Sequence, residues 1–169
     1  MSPDYLALID TSGRGRYDVT PLFADAHAFA ALVKDLLALA QPLSFETVAG
    51  IDALGFILGS ALALSSGTGF ITIRKEGKLP VPTEHAGFVD YTGMQKGLEL
   101  RHDVVLPGQR VLIVDEWIET GAQVSAAIRL IEARGGIIAG VAAIHIDAND
   151  RTRPLTERYT CVQIWHDAE

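Results

Sequence analysis

Two kinds of hydrophobic pattern divide the chain. Phe70-Ile71-Thr72-Ile73, Val111-Leu112-Ile113-Val114 and Ile137 to Ile146 are short aliphatic runs that read as strands buried on both faces, as in a parallel sheet. Other stretches repeat their apolar positions at helical spacing. Phe29, Leu32, Val33, Leu36 and Leu37 give one apolar face to a helix from about Asp25 to Ala40, which Pro42 stops. The Ala/Leu-rich run Gly55 to Leu64 predicts a buried helix ended by Ser65-Ser66-Gly67. Val124, Ala127, Ile128 and Ile131 mark a third helix, closed by Gly135-Gly136.

Weaker signals fill the gaps. Residues 4–10, Phe45–Ala49, Leu98–Val105 and Cys161–Trp165 predict short strands, and Pro107-Gly108 a turn. Thr11 to Arg16 and Asn149 to Pro154 read as polar loops. From Arg74 to Gly97 glycine, proline and basic residues replace aliphatic ones, which predicts a long mobile loop. Strand, helix and strand recur in the order that builds parallel sheets. The expectation is one α/β domain over residues 1–169, doubly wound around a mainly parallel sheet, with no repeat or linker.

Composition narrows the partners. A hydrophobic share of 49% and a charged share of 21% are those of an ordinary globular protein. No apolar run reaches the roughly 20 residues that cross a bilayer, and no basic segment followed by an apolar core suggests a secretory signal. We therefore expect no membrane partner. The net charge of −7 argues against a general nucleic-acid surface. It also means that cations for an anionic substrate must be concentrated locally, and Arg74, Lys75 and Lys78 lie close together. Lone Cys161 fits a reducing cytoplasm and reads as a small buried hydrophobe. The five histidines show no metal-ligand spacing, and His145, on a buried strand, reads as a core residue.

The strongest candidate chemistry follows the central strand. Val111–Val114 runs into Asp115 and Glu116, and a short turn leads through Thr120-Gly121-Ala122-Gln123 into a helix. Carboxylates at a strand's end can accept hydrogen bonds from ribose hydroxyls. The unpaired N–H groups and dipole of the helix N-terminus attract phosphate. Together they suit a sugar phosphate.

This stretch resembles the phosphoribosyl-pyrophosphate (PRPP) signature of the type I phosphoribosyltransferases, and the chain as a whole is most similar to the adenine-specific members. Tyr17-Asp18-Val19-Thr20-Pro21, Gly50-Ile51-Asp52 with Gly55-Phe56, and Arg74 to Pro80 follow in the family's order, so the resemblance covers roughly residues 15 to 150. It implies a small N-terminal hood, a homodimer, PRPP and a nucleobase as substrates, and Mg²⁺ carried by PRPP. By the same resemblance Asp115 and Glu116 hold the ribose hydroxyls. Glu119, Thr120, Gly121, Ala122 and Gln123 cradle the 5′-phosphate. Asp52 and Ala53 present backbone N–H groups to pyrophosphate, often around a strained peptide, while Arg74, Lys75 and Lys78, with Lys96 behind them, supply positive charge. Arg16 and Tyr17 lie where the hood covers the base.

Several positions depart from the family pattern. Leu54 stands where the adenine-type enzymes carry Arg, Ala122 and Gln123 replace Gly and Thr or Ser, and Glu119 replaces a small residue. The acid of the flexible loop falls near Thr92, with Asp90 the nearest carboxylate upstream. The Glu119 side chain is expected to point away from the phosphate. Two readings follow: transfer of phosphoribosyl to a purine, adenine first, or a PRPP- or nucleotide-binding regulator without turnover.

Overall fold

The computed structural model describes residues 3–13, 17–90 and 92–166. At its centre β5 (Arg110–Val114) pairs in parallel with β1 (Thr47–Ile51) on one side and with β7 (Ile137–Ala143) on the other. β1 pairs in parallel with β2 (Gly69–Lys75), and β7 with β9 (Cys161–Gln163). Side chains alternate along β5. Val111 and Ile113 join the layer that holds α4 (Ala122–Ala133), while Leu112 and Val114 join the layer of α2 (Ala26–Ala40) and α3 (Leu54–Ser66). Both faces are covered by helices, which is why this strand shows no polar alternation. The Asp25 carboxylate caps α2 by accepting the Ala28 N–H at 2.8 Å.

Residues 74–97 are not one long loop. β4 (Gln95–Arg101) pairs antiparallel with β2 and with β3 (Thr83–Val89), so the sheet runs β3-β4-β2-β1-β5-β7-β9. β3 turns Glu84, Ala86 and Phe88 inward and leaves His85, Gly87 and Val89 exposed. Ala86 and Phe88 pack on the core beside α4. Arg129 Nη2 donates to Gly87 O at 2.6 Å and Arg134 Nη1 to Glu84 Oε1 at 3.1 Å, fastening the ribbon to α4. Pro80 and Pro82 precede β3, where their missing N–H groups interrupt no ladder. Among the described residues of this segment, only 76–82, Asp90 and 92–94 stay irregular.

Other boundaries move for local reasons. Asp4–Leu8 is a 3-10 turn rather than a strand, with Ile9 N bonded to Leu6 O at 3.1 Å. The first strand begins at Thr47, later than expected, and β4 begins and ends earlier than the expected Leu98–Val105 run. The segment read as a polar loop at 149–154 starts α5 (Arg153–Arg158), and α1 (Thr20–Ala24) precedes α2. α3 is buried on one side only, since Ile57 is 41% and Leu64 85% exposed. A short parallel pair, β6 (Trp117–Ile118) with β8 (His145–Ile146), continues beyond β5 and β7.

Candidate functional site

β1 and β5 are neighbours whose chains leave in opposite directions. α3 leads from β1 outward to β2 on one face, and α4 leads from β5 to β7 on the other. A crevice must open where adjacent parallel strands part in this way. Here it is a cavity of about 280 Å³. Its walls include Asp52, Ala53 and Leu54 after β1, the run Asp115 to Gly121 after β5, Gln123 of α4, Lys75 of β2, and Phe88 and Asp90 of the hairpin.

Asp115 ends the central strand and is buried. Its Oδ1 accepts the Glu116 N–H at 3.0 Å, and its Oδ2 accepts the Gln123 amide at 3.3 Å. Burial, and then the neighbouring Glu116 carboxylate, push Asp115 well above the usual carboxylate range. Glu116 is half-buried beside it. Gly55 lets α3 start directly against this strand end: a Cβ there would lie 2.7 Å from Val114 O and 3.2 Å from Asp115 Oδ1. The Asp52–Ala53 peptide is cis. Asp52 Oδ2 accepts the Lys75 N–H at 3.5 Å and lies 3.9 Å from Arg74 Nε, which makes no hydrogen bond among the described residues.

The N-terminus of α4 forms the far wall. Gly121 takes the left-handed conformation (φ 69°), which turns the chain sharply into the helix. In the first turn the Ala122 N–H donates to Thr120 Oγ1 at 3.3 Å and the Ser125 N–H to Gly121 O at 2.8 Å. Thr120 and Ala122 also border an adjoining space of about 480 Å³, with Thr92, Gly93 and Arg151 around it. Glu119 is half-buried, not freely solvated, and its carbonyl accepts the Asn149 amide at 2.9 Å.

Not every expected residue reaches this cavity. Lys78 is exposed and lies outside it, and Arg74 leans on Asp52. Lys96 pairs with Asp90 at 2.9 Å at the hairpin tip. The Asp90 carboxylate also accepts the Thr92 hydroxyl at 2.5 Å and the Met94 N–H at 3.1 Å. The Thr92 bond and Lys96 hold Asp90 well below the usual carboxylate range, and its carboxylate caps this turn. Tyr17 stacks on Trp165 (5.4 Å between centroids, 16°) and meets Trp117 edge-on at 5.0 Å. Arg16 lies outside the described residues. His145 is buried and bonded to Trp165 O at 3.0 Å, a core residue as expected. Cys161 is half-buried, and burial pushes its thiol up to about 11.

Trp117, Ile118, Phe88 and Arg151 join these walls without having been singled out in the sequence. Trp117 and Ile118 directly follow the acid pair, so their place was readable, whereas Phe88 and Arg151 arrive from distant segments. Among the described residues no three or more His, Cys, Asp or Glu side chains gather to hold a metal. Adjacent Asp115 and Glu116 still form an oxygen-donor pair of the kind Mg²⁺ accepts alongside water and substrate oxygens. A larger hollow of about 910 Å³ beside α5 and β9 contains none of the expected site residues.

The model of the phosphoribosyl transferase domain matches residues 23–168. The chain belongs to the phosphoribosyltransferase family. It is 41% identical over 127 residues to an adenine phosphoribosyltransferase of Leuconostoc citreum, covering 75% of this chain and 72% of that one. The crystal structure of adenine phosphoribosyltransferase from Thermoanaerobacter pseudethanolicus is 31% identical, with a TM-score of 0.87 over 95% of this chain and 96% of that one. The Giardia lamblia enzyme complexed with 9-deazaadenine is 27% identical, with a TM-score of 0.88 over 100% of this chain and 99% of that one. A doubly wound phosphoribosyltransferase fold is thus shared along nearly the whole chain. No helix among the described residues is long and apolar enough to cross a membrane.

Proposed function

We propose that this protein transfers the phosphoribosyl group of PRPP to adenine, forming the nucleotide and releasing pyrophosphate. One observation carries the reading: the acid pair, the turn after β1, Lys75 and the α4 N-terminus converge on one cavity at the switch point between β1 and β5. Asp115 and Glu116 accept hydrogen bonds from the ribose hydroxyls. The N–H groups at the start of α4, with Thr120, hold the 5′-phosphate. The backbone of Asp52 and Ala53, with Lys75, takes the pyrophosphate, and Trp117 and Tyr17 flank the base. Arg74 and Lys78 serve as outlying cations, and Arg16 belongs with Tyr17 to the hood over the base. Asp115 and Glu116 are the residues that would hold a Mg²⁺ brought in with PRPP, which would offset charge on the leaving group.

In the transfer a ring nitrogen of adenine bonds to the ribose anomeric carbon as the bond to pyrophosphate breaks, and the proton that nitrogen carried leaves to water or to the departing pyrophosphate. Positive charge grows on the sugar meanwhile, so positioning and fixed negative charge matter more than a strong base. Asp115 and Glu116 stand where that charge develops. The likeness to adenine phosphoribosyltransferases over most of the chain favours this enzyme over a regulator that only binds PRPP. We further propose that residues 1–169 act as one catalytic unit in a cytoplasmic homodimer.

The test is nucleotide formation from Mg²⁺ and PRPP with adenine, guanine, hypoxanthine and uracil in turn. Adenine should give product well above the others. PRPP binding without product from any base would replace the enzyme by the regulator.

A further inference from the structure

Glu99 has no part in the transfer just described, yet it is a carboxylate only 2% exposed, in the middle of β4. It faces Arg74 of β2 across the antiparallel ladder. A buried carboxylate is costly unless hydrogen bonds replace its water. Here they come from three successive backbone N–H groups. Glu99 Oε2 accepts Gly77 N–H at 3.0 Å, and Oε1 accepts Lys78 N–H at 2.6 Å and Leu79 N–H at 2.5 Å. Desolvation raises the Glu99 pKa, but these three bonds, with a smaller contribution from His85, outweigh it and leave it below the usual range.

Consecutive N–H groups converging on one point make a nest that binds anions. This nest is filled by the chain's own carboxylate. It forms because Gly77 adopts φ 81°, which an L side chain resists. Lys75 is the last residue of β2 immediately before this turn, and it lines the cavity that holds Asp115 and Ala53. Lys75 sits on an exposed, flexible stem. Its backbone is paired with Leu98 of β4 and donates its N–H to Asp52, and the turn gripped by Glu99 is the next segment of chain to restrain it.

We propose that Glu99 is a positioning residue that sets the turn after β2 and so holds Lys75 toward the pyrophosphate end of the cavity. The inference rests on the PRPP reading given above. Glu99 touches no substrate, and acts through the backbone of Gly77 to Leu79.

The experiment compares PRPP affinity by calorimetry with Mg²⁺ present, and the KM for adenine, in native protein and variants. Glu99→Gln keeps the size but sets an NH2 group against the nest. PRPP affinity should fall about tenfold, the scale of one charge-assisted contact, while the KM for adenine stays within about twofold. Lys75→Ala should weaken PRPP as well, and the double variant should be no weaker than Lys75→Ala alone. Gly77→Ala opens the nest at a position where a Cβ meets nothing within 4 Å. It should reproduce the loss even if Glu99→Gln does not fold. Unchanged PRPP affinity in the folded variants, or losses that simply add in the double variant, overturns the proposal. A merely structural role would lower the melting temperature and the active fraction without moving PRPP affinity. Native protein that binds no PRPP at all would instead overturn the functional reading beneath it.

Discussion

Asp115 holds its carboxylate where charge is disfavoured, buried and next to Glu116. Its folded pKa lies above its unfolded value of about 4. The protonated form therefore contributes stability that is fully present below that unfolded value and is lost as pH rises through the raised folded one. Asp115→Asn is neutral at every pH, so it should melt higher than the native protein at neutral and alkaline pH. The gap should close as pH falls toward about 4. The same variant should bind PRPP at least about tenfold more weakly, since a ribose contact is lost. Melting curves across pH, with calorimetry at neutral pH, test both halves, and a variant less stable at every pH would contradict the burial argument. Glu119 is the converse case. It is half-buried beside the proposed phosphate cradle, where solvent and salt screen most of its field. Glu119→Ala should tighten PRPP by no more than about threefold at physiological ionic strength. A tenfold gain would put the carboxylate inside the cradle.

At the scale of elements, the hairpin decides how the cavity closes. Its strands are paired along β3 and β4 and bound to α4, while Asp90 and residues 92–94 lie at the tip, with Asp90 on the cavity wall. Hydrogen exchange should therefore be slow through Leu98–Leu100 in the free protein and fast at 92–94, with PRPP slowing the tip alone. Uniformly fast exchange from 83 to 101 would restore the mobile loop that composition suggested. That expectation failed for a physical reason. β3 is built on Ala86 and Phe88 between Gly87 and polar residues, so its inward face carries too little apolar contrast to reveal a strand. α5 was hidden similarly, six residues long and mostly polar. Elements buried on both faces or along one helix stripe were legible because burial leaves its period in the sequence. β1, β5, β7, α2 and α4 are of that kind, whereas β2 buries Ile71 and Ile73 on one face and leaves Thr72 exposed on the other, not the two-sided burial its aliphatic run suggests. The acid pair and the α4 turn were legible because adjacency along the chain fixes their geometry. Phe88 and Arg151 reach the site only through tertiary folding, and no local signal announces them.

For the whole molecule, charge and exposed apolar surface bear on assembly. A net charge of −7 repels like copies at long range, so association needs a specific apolar patch. α3 supplies one. Ile57 and Leu64 are seven residues apart and so share a helix face, at 41% and 85% exposure. The proposed homodimer needs an apolar contact face, and Ile57 and Leu64 are the side chains of α3 that offer one. We expect the native protein to sediment as a dimer at micromolar concentration. Leu64→Glu, which places a charge in the patch without disturbing the core, should shift it to monomer with its melting temperature nearly unchanged. The loss of PRPP affinity in that variant would then measure how far the site depends on the second copy. Native protein that sediments as a monomer throughout would leave this face unpartnered and contradict the expected homodimer.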